Sequence, residues 1–331
     1  MSAINIQFKH VVFIAISILM AFAATSCKPS GSNNNLAPWM KDEDEDPEPE
    51  VSVKEGTYRF ATFNLRYDAS SDVGAKDWTV RKEFVKEIIL RGDYDLAGLV
   101  EVTQPLFKDD LKTLLGDTYA FYICGRNDGG NNGEGVGIMY RKSMFTVQKC
   151  GYYWLNEHPD EKGEPTNWAN PVESVGNRLV TWAKIKDKSS GKEFFYFVAH
   201  FYLNAGARAH SSKLVIDKCK ELNPDGLPEF FCGDLNAVDT EESMSILRNY
   251  FKDSYLYAKE KKITTEGAVT TYNSWNDNVS KYDTSKRIDY IYFLGEVNLN
   301  KYGVDYTTYN NSDYRVIIPS DHYPVYVDVT F

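Results

Sequence analysis

Phe230-Phe231-Cys232-Gly233-Asp234-Leu235-Asn236-Ala237 is the stretch around which the chain is organised. Its apolar run, Phe230 to Cys232, has the composition of a short buried strand. Gly233 ends that run where a side chain has no room, and Asp234 and Asn236 follow two residues apart. In extended backbone this spacing puts both side chains on one face. A carboxylate and an amide so placed can share one task, such as orienting a water beside a phosphate. Taken alone, Asp and Asn after a strand are ordinary turn formers. The stretch gains meaning from what other strands deliver to the same edge.

Upstream, residues 58–64 read as a strand ending on Asn64, and residues 79–90 carry Val80, Phe84, Val85, Ile88 and Ile89 on one helical face. Residues 95–100 form a continuous apolar strand ending on Glu101, after which Thr103 is placed to cap a helix with Pro105 in its first turn. Strands at 119–124 and 136–140 flank a Gly/Asn-rich loop, 125–135, that lacks the Gly-Lys-Ser/Thr of a phosphate-cradling P-loop. Residues 145–155 add another strand, and a polar loop at 156–175 carries Asn167, Trp168 and Asn170. The segment 177–185, with Arg178 at its start, and the buried run 194–200, ending on His200, are strands. Helices are expected at 207–222 and 241–250. Strands at 287–293 and 325–331 close the chain, with Ser320-Asp321-His322-Tyr323-Pro324 between them.

Six strand ends or adjacent loops therefore present polar residues: Asn64, Glu101, His200, the Asp234/Asn236 pair, Asp289, and the Asp321/His322 pair. Each alone is more often a solvated or edge residue. Together they are what α/β folds gather at one sheet edge to build a site. Hard oxygen donors such as Asn64, Glu101 and Asp321 suit Mg²⁺ or Ca²⁺ rather than Zn²⁺. Phosphoryl hydrolysis needs an aimed water, neutralisation of the equatorial oxygens and help for the leaving oxygen. A cation with Arg178 would meet the second need, and either His322 or His200, titrating near neutrality, could move the proton.

The segments Thr62-Phe63-Asn64-Leu65-Arg66, Leu99-Val100-Glu101-Val102, Ala199-His200-Phe201, Gly233-Asp234-Leu235-Asn236-Ala237, Arg287-Ile288-Asp289-Tyr290-Ile291 and Ser320-Asp321-His322-Tyr323-Pro324-Val325 occur in this order. In that order the chain resembles the endonuclease/exonuclease/phosphatase superfamily, from about residue 53 to the C-terminus. It departs at Val100, where a Gln commonly precedes the metal Glu, and at Ala199, where Thr usually precedes the His. The resemblance implies a DNase I-like α/β fold: a four-layer sandwich of two packed mixed sheets flanked by helices. It implies that Glu101 and Asn64, with Asp321, hold a divalent metal, Mg²⁺ or else Mn²⁺ or Ca²⁺, directly or through water. By the same resemblance Asp234 and Asn236 orient the attacking water and phosphoryl oxygens. Asp289 fixes the tautomer of His322, His200 contacts phosphate or assists the leaving group, and Arg178 grips a phosphate oxygen.

The chain has 331 residues and formal net charge −10, and its 23 Tyr and 18 Phe are ample for a large core. Lys9 and His10 precede an apolar run at 11–24, too short for a comfortable transmembrane helix and suited to a signal-peptide core. Ala24-Thr25-Ser26-Cys27 resembles a bacterial lipoprotein processing site, with Ala24 where Leu is usual. The expectation is an exported protein anchored to the membrane through lipid on Cys27, with residues 1–27 as leader. Residues 28–52 read as a disordered acidic tether and 53–331 as the catalytic domain. Cys124, Cys150, Cys219 and Cys232 show no metal spacing, and their pairing is open.

Residues 1–52 hold seven acids against three bases, which leaves 40 acids and 34 bases beyond them, a net of −6. That disfavours a general electrostatic grip on nucleic acid. Tyr272, Trp275 and Tyr282 in the loop 264–286 lie among amides that suit a sugar, although such rings also pack their own loops. The expected activity is hydrolysis of a phosphodiester or phosphomonoester, with a small phosphorylated compound or phospholipid head group favoured as substrate. A secreted nuclease is the alternative within the class. A surface binding protein that keeps the fold without turnover is the alternative outside it.

Overall fold

The computed structural model describes residues 56–103, 106–161, 166–168, 176–264 and 267–331. The expected leader, the tether and the Pro105 first turn lie outside these residues, as does Asn170. In chain order the elements are β1 (Tyr58–Asn64), α1 (Trp78–Gly92), β2 (Leu96–Thr103), α2 (Leu106–Leu115), β3 (Tyr119–Gly125), β4 (Glu134–Arg141), β5 (Phe145–Trp154), β6 (Leu179–Asp187) and β7 (Glu193–His200). They continue with α3 (Ala205–Leu222), β8 (Glu229–Asp234), α4 (Glu242–Arg248), β9 (Lys252–Asp253), α5 (Ser254–Lys261), β10 (Asp289–Leu294), β11 (Asn298–Val304) and β12 (Val325–Thr330).

Two six-stranded mixed sheets result, ordered β11-β12-β1-β2-β4-β3 and β5-β6-β7-β8-β10-β9. Each has one parallel pair near its middle, β1/β2 in the first and β7/β8 in the second. A parallel pair needs a crossover, and α1 and α3 supply them from the outer faces. The helices start where side chains cap them: Asp77 accepts from Thr79 N on α1, and Asn204 from Ala207 N on α3. The expected four-layer α/β sandwich is the fold observed.

The inner faces meet in an aromatic core. Phe60 of β1 and Phe230 of β8 pack edge to face, centroids 4.8 Å apart, and each such side chain stabilises by about 1.5–3 kcal/mol on burial. Tyr196 carries a polar tie through that core, its hydroxyl donating to Ala61 O at 2.7 Å. The sheets approach closely at Gly98, where a Cβ would stand 2.5 Å from Cys232 Sγ. Gly233 is tighter still. At φ +140° its missing Cβ would fall 1.8 Å from Ala199 O, so no other residue lets β8 lie against β7 here. Cys124, Cys150, Cys219 and Cys232 are all free and buried.

Two elements escape a reading by pattern. Leu299 and Tyr302 in β11 are both buried although three residues apart, because the register shifts between Leu299 and Lys301; a bulge breaks the alternation that betrays a strand. Segment 254–261, rich in tyrosine, is helical because Asp253 accepts hydrogen bonds from Tyr255 N and Leu256 N.

Candidate active site

The C-terminal ends of both parallel pairs face the same edge of the sandwich. Asn64 ends β1, His200 ends β7 and Asp234 ends β8. His200 and Asp234 are ladder partners, as are Asp289 and Asp234. Glu101 is skipped by the β2–β4 ladder, whose register shifts between Val100 and Val102, and it has φ +60°. The bulge turns its side chain out of strand alternation and into the site. Arg66 and Asn236 have φ +55° and +50°. Left-handed backbone at non-glycine residues costs about 1 kcal/mol or more each, and such strain collects at functional sites.

Asn64 is fully buried and bridges two acids, its Nδ2 donating to Glu101 Oε1 and to Asp234 Oδ2, both at 3.0 Å. Its Oδ1 accepts from Arg66 N at 2.9 Å. The amide thus turns its NH₂, not its oxygen, toward the carboxylates. Glu101 Oε2 accepts from Tyr67 N at 2.9 Å. Asp321 lies beside this group, its Oδ2 3.9 Å from Arg66 Nη1, and burial pushes its carboxyl up.

His322 Nδ1 donates to Asp289 Oδ2 at 2.8 Å. Its Nε2 then faces the site, 3.7 Å from Asp234 Oδ2 and 3.5 Å from Asn64 Nδ2. Burial alone would lower the His322 pKa, but the charges of Asp289 and Asp234 outweigh it and hold the ring well above the usual 6.5. Asp234 is raised by burial and by the charge of Asp289. His200 sits across from His322, its Nε2 3.5 Å from Asp234 Oδ2. Burial and the nearby Arg178 and Arg126 drive its pKa well below 6.5, so this ring is neutral. Asn236 N donates to Asp234 Oδ1 at 2.9 Å and its Nδ2 to Phe201 O at 3.0 Å, which fixes the amide beside the carboxylate.

Two sets of potential ligand atoms lie within 4.8 Å of one another: Glu101, His200 and Asp234, and Asp234, Asp289 and His322. Asp234 belongs to both and is the hub. Asp321 falls outside both sets. Arg178 is buried rather than exposed on its strand, and its Nε and Nη1 have no hydrogen-bond partner among the described residues.

Three neighbours carried no clear sequence signal. Arg81 of α1 donates to Leu65 O, Arg66 O, Tyr67 O and Pro319 O, stapling the loop after β1 to the loop that carries Asp321. Arg126 and Glu134 pair at the neck of the glycine-rich loop, Nη2 to Oε1 at 2.7 Å and Nη1 to Oε2 at 2.9 Å. Opposite charges near the two ends of the loop were the available clue. Of the loop aromatics, Tyr272 packs against His322 with centroids 4.9 Å apart. Trp168 stacks on His210, Trp275 lies under Lys76 and Arg81, and Tyr282 is exposed.

Acids, an amide and two imidazoles gathered at one edge of a two-sheet sandwich are groups that phosphoester hydrolysis can use. The endonuclease/exonuclease/phosphatase family model matches residues 61–322, and the chain belongs to that family. It is similar to a solved family member from Bacteroides thetaiotaomicron, at 30% identity and a TM-score of 0.73, over 83% of this chain and 98% of that one. A mannosyl-6-phosphatase of Bacteroides thetaiotaomicron VPI-5482 is equally similar, at 30% identity and a TM-score of 0.72, over 83% of this chain and 100% of that one. The human Nocturnin catalytic domain, at 19% identity and a TM-score of 0.62 over 85% of this chain and 96% of that one, shares the fold. No curated protein sequence matches the chain.

Proposed function

We propose that this protein is a divalent-metal-dependent phosphoesterase whose substrate is a small phosphorylated compound, a sugar phosphate foremost and a phospholipid head group next. The observation that carries the reading is the juxtaposition of the His322–Asp289 pair and the Asn64–Glu101 pair on either side of Asp234. The similarity to a mannosyl-6-phosphatase and the net charge of −6 outside the leader and tether favour a small substrate over a nucleic acid.

The donor chemistry fits a hard cation: two carboxylates, Glu101 and Asp234, converge with His200, and Asp321 stands nearby. Glu101 would hold Mg²⁺ or a related ion with Asp321, and Asn64 would act by fixing the carboxylates. When bound, the ion would neutralise charge on the phosphoryl oxygens. Asp234 and Asn236 are placed to orient the attacking water. His322, protonated and set by Asp289, would give the proton at Nε2. Arg178 offers open donors to the phosphoryl oxygens, and His200 stands beside it.

One panel at fixed Mg²⁺ and moderate salt tests this, with sugar phosphates, inositol phosphates, sphingomyelin, RNA and plasmid DNA. Turnover of the small substrates is expected. Cleavage of plasmid DNA alone would make the protein a nuclease, and binding without turnover of any substrate would make it a binding protein. The reading extends to export, with the lipid on Cys27. Wild type should partition into detergent and Cys27→Ala into the aqueous phase, and a wholly soluble wild type refutes anchoring.

A further inference from the structure

Four charged or polar side chains meet on the side of the site away from His322. Glu134 Oε2 lies 3.8 Å from His200 Nδ1 and 4.0 Å from Arg178 Nη1, just beyond hydrogen-bond range of both. Arg178 Nε and Nη1 and His200 Nδ1 are buried without a hydrogen-bond partner among the described residues. A carboxylate this close to a buried guanidinium is strongly attracted to it. It should close the last ångström and take the open donors for itself, since leaving them unpaired is costly.

Arg126 prevents that closure. Its fork holds both Glu134 oxygens, at 2.7 and 2.9 Å, and planar bidentate pairing is among the strong, geometrically specific hydrogen-bond arrangements of a carboxylate. The backbone of the pair is fixed too. Arg126 N donates to Glu134 O at 3.1 Å, and Trp154 Nε1 donates to Arg126 O at 3.0 Å. Glu134 itself is held in the β2–β4 ladder opposite Thr103.

We infer that Arg126 is a positioning residue that holds Glu134 back from Arg178, so that the guanidinium donors stay open for a phosphoryl oxygen. Glu134 meanwhile keeps the buried Arg178 charge company without spending its hydrogen bonds. Freed from Arg126, the same carboxylate becomes a built-in competitor of the substrate. This deepens the phosphoesterase reading and rests on it.

The test is a pair of substitutions on the Mg²⁺-loaded full chain, read by calorimetric affinity for inorganic phosphate and by KM and kcat on a phosphomonoester. Arg126→Gln should weaken phosphate binding at least about tenfold, with the loss in KM rather than kcat. Adding Glu134→Gln to it should restore phosphate affinity to within about threefold of wild type, because the released competitor is gone. A merely structural role predicts the reverse, a double variant no better than the single one. Arg126→Lys, which keeps the charge and loses the fork, should fall between, and it serves if the glutamine variant does not fold. Unchanged affinity in Arg126→Gln, or a double variant as weak as the single, overturns the inference while leaving the phosphoesterase reading intact. A wild type that neither binds phosphate nor hydrolyses any phosphoester overturns both.

Discussion

His322 and His200 are equally buried, each 5% exposed, and both reach Asp234 with Nε2. Yet they are pushed in opposite directions. His322 sits among Asp289, Asp234 and Asp321 and is held well above 6.5. His200 sits beside Arg178 and Arg126 and is driven well below it. Desolvation disfavours the charged form of both rings, so the difference comes from the neighbours. Asp234 thus has an acid-lined flank that keeps a proton and a guanidinium-lined flank that keeps none. A site that must both move a proton and grip an anion can divide the work this way. From the sequence either ring could serve as the proton carrier; the charges around them favour a held proton on His322 and a neutral His200.

The sharpest way to break this division is to remove the cation proposed for the acidic side chains. EDTA should abolish hydrolysis and Mg²⁺ or Mn²⁺ should restore it, measured on any phosphoester the protein turns over. Glu101→Ala should weaken metal binding by calorimetry with little change in Tm, since Glu101 is only half buried. Full activity in metal-free buffer would show that the acids do not gather around a cation.

Next in size is His322→Ala, expected to cut kcat by about 10²–10⁴-fold, the usual reach of acid–base help. Asp289→Asn acts through the same ring, so the double variant should be hardly worse than the worse single one. Effects that multiply would mean the 2.8 Å contact does not couple the two residues. His200→Asn should cost only about tenfold, because a neutral ring contributes a hydrogen bond worth about 0.5–1.5 kcal/mol. A loss in His200→Asn as large as that in His322→Ala would erase the contrast between the flanks.

How much of this was legible beforehand differs between the two flanks. Asn64 and Asp234 end strands, Glu101 lies near the end of one, Asp289 starts β10 and His322 lies in the loop before β12. Their gathering at one edge follows once the strands with their unmistakable apolar runs are placed. The bulge that aims Glu101 was not legible, because a register shift leaves no mark in composition. Arg126 and Glu134 were hidden differently. They are eight residues apart in a loop, and only the β3–β4 pairing that joins Gly125 to Gly135 brings them face to face. Asn64 was expected to offer an oxygen to a metal, and the Arg66 backbone N–H that turns its amide depends on a left-handed φ that no pattern announces. Long-range pairing and local strain are what sequence periodicity misses.

The smallest effect isolates burial itself, which the contrast of the two histidines assumes to be a common term. Glu229 is 1% exposed and accepts from Asn223 Nδ2 at 2.7 Å and Tyr250 Oη at 3.4 Å. No cation is among the causes that shift it, and its pKa is raised by burial, the two hydrogen bonds opposing. A raised carboxyl holds its proton more tightly in the folded state than in the unfolded one. Its contribution is therefore most favourable below the unfolded value, near 4.3, and is lost as pH rises through the folded pKa. Glu229→Gln keeps an oxygen for Asn223 and Tyr250 and cannot ionise. The variant should lose less stability than wild type between pH 4 and pH 8, gaining about 2 °C in relative Tm at the upper end, which corresponds to roughly 1 kcal/mol. An identical pH dependence of Tm in the two proteins would show that burial without a charged neighbour shifts little here, and the opposite behaviour of the two histidines would then rest on their neighbours entirely.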